Sequence, residues 1–179
     1  MSIKKILIWL PAIVMAMIIF GFSKQDGEES SGLSYKAADI ILTVCDKAGI
    51  IDCNENNRES MIEAVQFPIR KAAHMTEYAI LFLLSYLATV KISMSQSRFY
   101  NRSIAVLISL LYACSDEMHQ LLVPGRSGKM IDVGIDMAGV LIVLICMILS
   151  KNTKWKIICG VLLGVLLVAA FVALLFVPF

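Results

Sequence analysis

The stretch MIDVGIDMAGVLIVLICMILS, residues 130–150, decides the fold. After Asp136 it carries no charge, and its length falls within the ~17–25 residues that an α-helix needs to cross ~30 Å of hydrocarbon. Asp132 and Asp136 stand four residues apart at its start, so on a helix they share one face, with Gly139 a turn further on. Charge inside a bilayer costs about 2.5–3.5 kcal/mol per residue on insertion scales. Two acids on one face of a spanning helix therefore point to a polar interior, not to lipid.

Four more apolar runs lie outward from this one, at residues 6–22, 68–90, 104–123 and 157–179. The whole 179-residue chain is 59% hydrophobic and only 17% charged, with a mean hydropathy of +0.80. Soluble domains carry roughly 25% charged residues. The expected fold is thus an all-α, polytopic membrane helix bundle with about five transmembrane helices. Aromatics make up 8%, and the basic residues do not gather into a patch, so nucleic acid is not an expected partner; the lipid bilayer is.

Charge orders the spans. With the N-terminus in the cytoplasm, the inner flanks hold Lys4, Lys5, Lys91, Arg98, Arg102, Lys151, Lys154 and Lys156, and no acid. Most of the 14 acids fall between Asp26 and Glu63, on the other side. Lysine and arginine bias sets orientation, so the C-terminus is expected outside. Gly21-Phe22-Ser23 is a poor cleavage site, which makes the first run an uncleaved helix. Residues 1–22 are then the first spanning helix and 23–67 an extracytoplasmic segment. Residues 68–150 form a three-helix core, and 151–179 a cytoplasmic linker with the fifth span.

The extracytoplasmic segment is amphipathic. Residues 22–31 read as a polar loop, followed by a helix from Tyr35 to Ala48 with Ser34 as its cap and Gly49 as its end. Leu33, Ala37, Ile41, Val44 and Ala48 form its apolar stripe, suited to the membrane surface or to the top of the bundle. A second short helix is expected over residues 60–67, stopped or bent at Pro68. Cys45 and Cys53 share this segment, and the sequence leaves a disulfide between them open.

Ionisable residues concentrate at one level. The second span begins PIRKAAHMTEY (68–78), the third ends YACSDEMHQLLVPGR (112–126), and the fourth begins as quoted above. At ~1.5 Å of rise per residue, His74, Asp116 and Asp136 each lie about 10 Å from the outer ends of their runs. Arg70, His74 and Glu77 share a stripe, as do Asp116, His119 and Gln120. Gly134 and Gly139 would admit a close neighbouring helix. A polar pocket open to the outside follows, with Arg126 and Lys129 at its mouth.

Three readings remain open for it. The polar groups tie helices together; or Arg70, Lys71, His74, Gln120, Arg126, Asp132 and Asp136 bind an anionic headgroup, with arginine suited to bidentate contact; or Glu77, Asp116, Glu117 and His119 supply acid–base chemistry in a hydrolase or transferase acting on an envelope lipid. Two histidines among carboxylates would also suit a transition metal, although no metal motif is present and no cofactor is specified.

RKAAHMTEYAIL with His74 and Glu77, DEMHQLLVPGR at Asp116–Arg126, and IDVGIDMAGV with Asp132, Asp136 and Gly139 together resemble the VanZ-like family of bacterial membrane proteins. FSKQDGEESSGLS at residues 22–34 is similar to the family's early serine-containing segment, so the likeness runs over about residues 22–150. Asp136 stands where many members have asparagine, and the fifth run and the Cys45/Cys53 pair look like additions. The resemblance implies a place in the bacterial plasma membrane and a role in the cell envelope, the family being named for a protein that gives low-level resistance to the glycopeptide teicoplanin. A lipid-linked cell-wall precursor or an anionic lipid headgroup is the partner this implies.

Overall fold

A computed structural model describes residues 3–93 and 96–149. These residues form five helices and no strand: α1 (Ile3–Ser23), α2 (Gly27–Lys47), α3 (Arg58–Ile92), α4 (Arg98–Gln120) and α5 (Met130–Leu149). By length and composition, α1, α3 and α5 can each cross a membrane. α4 has the length but is polar at both ends. It turns that polarity inward, burying Asn101, Asp116, Glu117 and Gln120, while Leu107, Leu110, Leu111 and Met118 face outward. The fifth expected span, at residues 157–179, lies outside the described residues.

α3 is the hub and packs against every other helix. α1 and α4 run in one direction, α3 and α5 in the other. Tyr112 of α4 donates its hydroxyl to the Ala16 carbonyl of α1, and Lys71 and His74 of α3 lie beside Asp132 and Asp136 of α5. The core comprises Met15, Ile19, Tyr78, Leu81, Phe82, Ala105, Ala113, Val133, Val140, Val143 and Met147. In lipid such a core gains from close contact more than from leaving water, and small residues at crossings help. Gly139 is such a residue, lying directly on the Met75 carbonyl. Gly134 was expected to serve likewise but meets nothing within 4 Å.

A second polar layer closes the far end of the bundle. Arg102 donates to the Met147 carbonyl at 3.0 Å, and Thr89 reaches the Tyr86 carbonyl at 2.8 Å. Ser85, Asn101 and Ser109 are buried beside them.

The structure revises the segment before the core. α3 runs unbroken through Pro68, so no separate helix covers residues 60–67. Pro68 is buried between Val65 and Ile69, where α3 packs on Ala38 and Leu42 of α2. Such packing offsets the hydrogen bond that proline removes. α2 likewise begins at Gly27, not near Tyr35. Asp26 caps it by accepting from the Glu29 amide at 2.8 Å, and Glu28 and Glu29 face the positive end of the helix dipole. Ser34 is no cap but sits buried in the helix. Gly49, at φ 69°, ends it as expected. Cys45 and Cys53 are both free thiols.

α2 meets α3 through Ser30, Ser34, Ala38 and Leu42, each one turn from the next. The apolar stripe read from the sequence lies beside this face, leaving Leu33, Ile41 and Val44 exposed. At its far end the pair is joined by Arg58 to Asp39 at 2.6 Å and by Tyr35 to Glu59 at 2.7 Å. α3 is 35 residues long, and about 20 suffice to cross the hydrocarbon. Counted back from Ile92, those 20 begin near Ala73. The preceding turns of α3, carrying α2, therefore project past the end of the bundle, where the polar groups gather.

Candidate functional site

α4 ends at Gln120, and the loop to α5 turns back over its last turn. Gly125, at φ 71°, occupies a backbone region that other residues rarely adopt. Next to it the Pro124 carbonyl accepts from the Gly27 amide at 3.2 Å, pinning the start of α2 to this loop. A side chain at Gly27 would meet the Gly125 backbone. Glu117 reaches out of α4 to accept from the Lys129 amide at 2.8 Å. Arg126 is then held at the junction with α1, donating to the Phe22 carbonyl at 3.1 Å.

These restraints enclose a polar pocket of about 190 Å³. Its walls hold Arg70, Lys71 and His74 of α3, Glu117 and Gln120 of α4, Arg126 and Lys129 of the loop, and Asp132 and Asp136 of α5. Nine residues singled out from the sequence thus converge, drawn from three helices and one loop. Their stripes meet because α3 and α5 run parallel at close quarters, which the contact at Gly139 permits.

The charges are unevenly paired. Lys71 Nζ lies 2.7 Å from Asp132 Oδ1 and 5.3 Å from the centre of the Phe67 ring. His74 Nδ1 stands 3.8 Å from Asp136 Oδ1 and 4.0 Å from Glu77 Oε2. Those are charge-pairing distances, beyond a hydrogen bond. Asp136 is 2% exposed, and its Oδ2 has no hydrogen-bond partner among the described residues. Arg70 donates to the hydroxyls of Ser34 at 2.9 Å and Ser31 at 3.0 Å. Arg70 and Arg126 therefore both bond to neutral oxygens, and neither has a carboxylate within 4.0 Å among the described residues. Both line the same two cavities.

Three candidates fall elsewhere. Asp116 is buried beneath the pocket and accepts from Gln120 at 3.1 Å. Glu77 faces a neighbouring cleft. His119 turns toward α1, where its ring lies 4.8 Å from that of Phe20, and it lines neither cavity. Among the described residues, no three His, Cys, Asp or Glu side chains are placed to hold a metal ion together. Sequence reasoning missed Ser31 as a partner of Arg70, the cation–π contact of Phe67, and the Gly27–Gly125 approach. Only the last left a local trace, a glycine beside a helix start and another after Pro124.

A bundle of helices, three of them long and apolar enough to cross a membrane, with a polar pocket at one end roofed by an interhelical loop, defines the class: an all-helical, polytopic membrane protein. The chain belongs to the VanZ/LLP1 family, whose model matches residues 8–172. The match extends beyond the 22–150 stretch that carried the resemblance, so the first helix and most of the last apolar run belong to the family pattern. No curated protein and no solved structure matches the chain.

Proposed function

We propose that this VanZ/LLP1 protein is a plasma-membrane component of the bacterial cell envelope. Its pocket opens on the extracytoplasmic face and binds the anionic headgroup of an envelope molecule, a lipid-linked wall precursor being the favoured class. The N-terminus lies in the cytoplasm, and α2 lies outside, along the projecting turns of α3. By holding or re-presenting such a precursor, the protein gives low-level protection against glycopeptides, which act on exposed wall precursors.

One observation carries this reading. Arg70 and Arg126 face a common cavity and are bonded to neutral oxygens. Two guanidinium groups lining one cavity with no carboxylate within 4.0 Å among the described residues are stabilised by an anion placed between them, and their planar forks suit phosphate or carboxylate. A purely structural cluster would neutralise its arginines internally, as Lys71 and Asp132 do.

The test is teicoplanin susceptibility of a sensitive Gram-positive host expressing the protein, with variants matched for membrane abundance. Wild type is expected to raise the inhibitory concentration, Arg70→Ala and Arg126→Ala to abolish the effect, and Arg126→Lys to retain part of it. Equal protection by all four forms would remove the pocket from this activity.

The arrangement of His74 with Asp136 and Glu77 favours one alternative, a hydrolase or transferase acting on the same lipid with His74 moving the proton. Turnover of a lipid-phosphate substrate that is lost in Asp136→Asn while binding is kept would select it.

A further inference from the structure

We infer that the ligand is an amphiphile whose anionic head occupies the polar pocket and whose hydrocarbon chain lies in the cleft beside it, an inference that rests on the anion-site reading above. The cleft, also about 190 Å³, runs between the end of α1, α2 and α3. It shares Arg70, His74 and Arg126 with the polar pocket, so these three side chains form the partition between the two spaces. On the pocket side stand Lys71, Glu117, Asp132 and Asp136. On the other, Leu33, Ala37, Ile69 and Ala73 provide an apolar wall.

A small inorganic anion would use only the first space. A molecule that fills both needs a charged end and an apolar end joined at the level of the two guanidinium groups, which is the form of a phosphorylated lipid. The route for the chain continues from the cleft. α2 buries its Ser30–Leu42 face on α3, leaving Leu33, Ile40, Ile41 and Val44 uncovered along the adjoining side. A chain leaving the cleft past Leu33 thus meets an apolar surface along α2. Glu77 also lines the cleft, 4.0 Å from His74.

Full-length protein in amphipol can be titrated calorimetrically with inorganic phosphate and with ethyl, butyl, hexyl and octyl phosphate, each below its micellar concentration. Affinity is expected to rise with chain length to roughly tenfold or more above inorganic phosphate, because each buried methylene contributes, and then to level off once the cleft is filled. Leu33→Trp on α2 and Ala73→Phe on α3, which fill the cleft from opposite walls, are expected to remove the advantage of the long chains while leaving inorganic phosphate binding unchanged. Arg126→Ala weakens every probe. Equal binding of all chain lengths overturns the inference and leaves the anion site standing. So does a chain-length advantage that never levels off in wild type, or one that survives both fillings. If wild type binds none of the probes, the inference falls together with the anion-site reading.

Discussion

Lys71 Nζ and Asp132 Oδ1 lie 2.7 Å apart, with both side chains less than one-fifth exposed, and join α3 to α5 across the mouth of the polar pocket. Breaking such a pair strands a charge that its surroundings solvate poorly. Lys71→Asp and Asp132→Lys are each expected to lower stability by about 1.5–3 kcal/mol, the range of hydrogen bonds to charged groups. The exchanged double variant should recover most of that loss. Thermal unfolding of the four forms in one detergent closes the cycle, and additive effects would show that the pair is not coupled.

Gly134 and Gly139 sit on one helix and are expected to respond oppositely. A methyl at Gly139 would strike the Met75 backbone, so Gly139→Ala must push α3 from α5 and open the pocket. At Gly134 a methyl meets nothing within 4 Å, and alanine is favoured over glycine in a helix by up to about 1 kcal/mol. Unfolding temperatures should fall for Gly139→Ala and hold or rise for Gly134→Ala. The same direction for both would contradict the packing described.

These two glycines also show how far the sequence reached. Both lie in the same apolar helix, and composition alone gave them the same role; only the position of α3 separates them. The level of the polar groups was legible because helical spacing aligns Asp132 with Asp136 and Arg70 with His74 within each element. The facing of His119 was not, because three residues of helix rotate it away from Asp116 toward α1, a neighbour that α4 does not encode. Pro68 misled because its local effect is to end helices, whereas here contacts with α2 decide. The start of α2 was readable after all, since Asp26 followed by Glu28 and Glu29 is a helix-start signal inside a stretch that polarity alone makes a loop.

At the exposed end of the α2–α3 pair, Tyr35 donates its hydroxyl to Glu59 at 2.7 Å. That bond, with the negative charge of Glu59 behind it, raises the phenol above its ordinary value of 10.0. A group whose folded value is raised supports the pairing fully below the unfolded value and loses that support as pH rises through the folded one. α2–α3 docking should therefore be insensitive to Tyr35 below about pH 10 and weaken above it. Phenolate absorbance, taken as the difference between wild type and Tyr35→Phe, should show Tyr35 titrating late, and Glu59→Gln should bring it earlier. An unchanged titration in Glu59→Gln would assign the shift to another cause.

His119 is expected to act as packing. Its ring rests on Phe20 and lines neither cavity, so His119→Phe should keep both stability and glycopeptide protection. His119→Ala should lower the unfolding temperature through the lost contact with α1. Protection lost in His119→Phe at normal stability would return this residue to the site.

The free thiols of Cys45 and Cys53 offer a test of sidedness. Both lie on or beyond α2, the segment assigned to the outside from the acids it carries and from the basic flanks of the spans. Cys146, by contrast, is buried within α5. In intact cells a membrane-impermeant maleimide should therefore label wild type, and the label should disappear in the Cys45→Ala, Cys53→Ala double variant. Labelling of these two positions only after the membrane is broken would invert the topology. The pocket would then face the cytoplasm, where the Arg70–Arg126 pair would meet the inner leaflet, and the proposed protection against glycopeptides would lose its basis while the anion site itself remained.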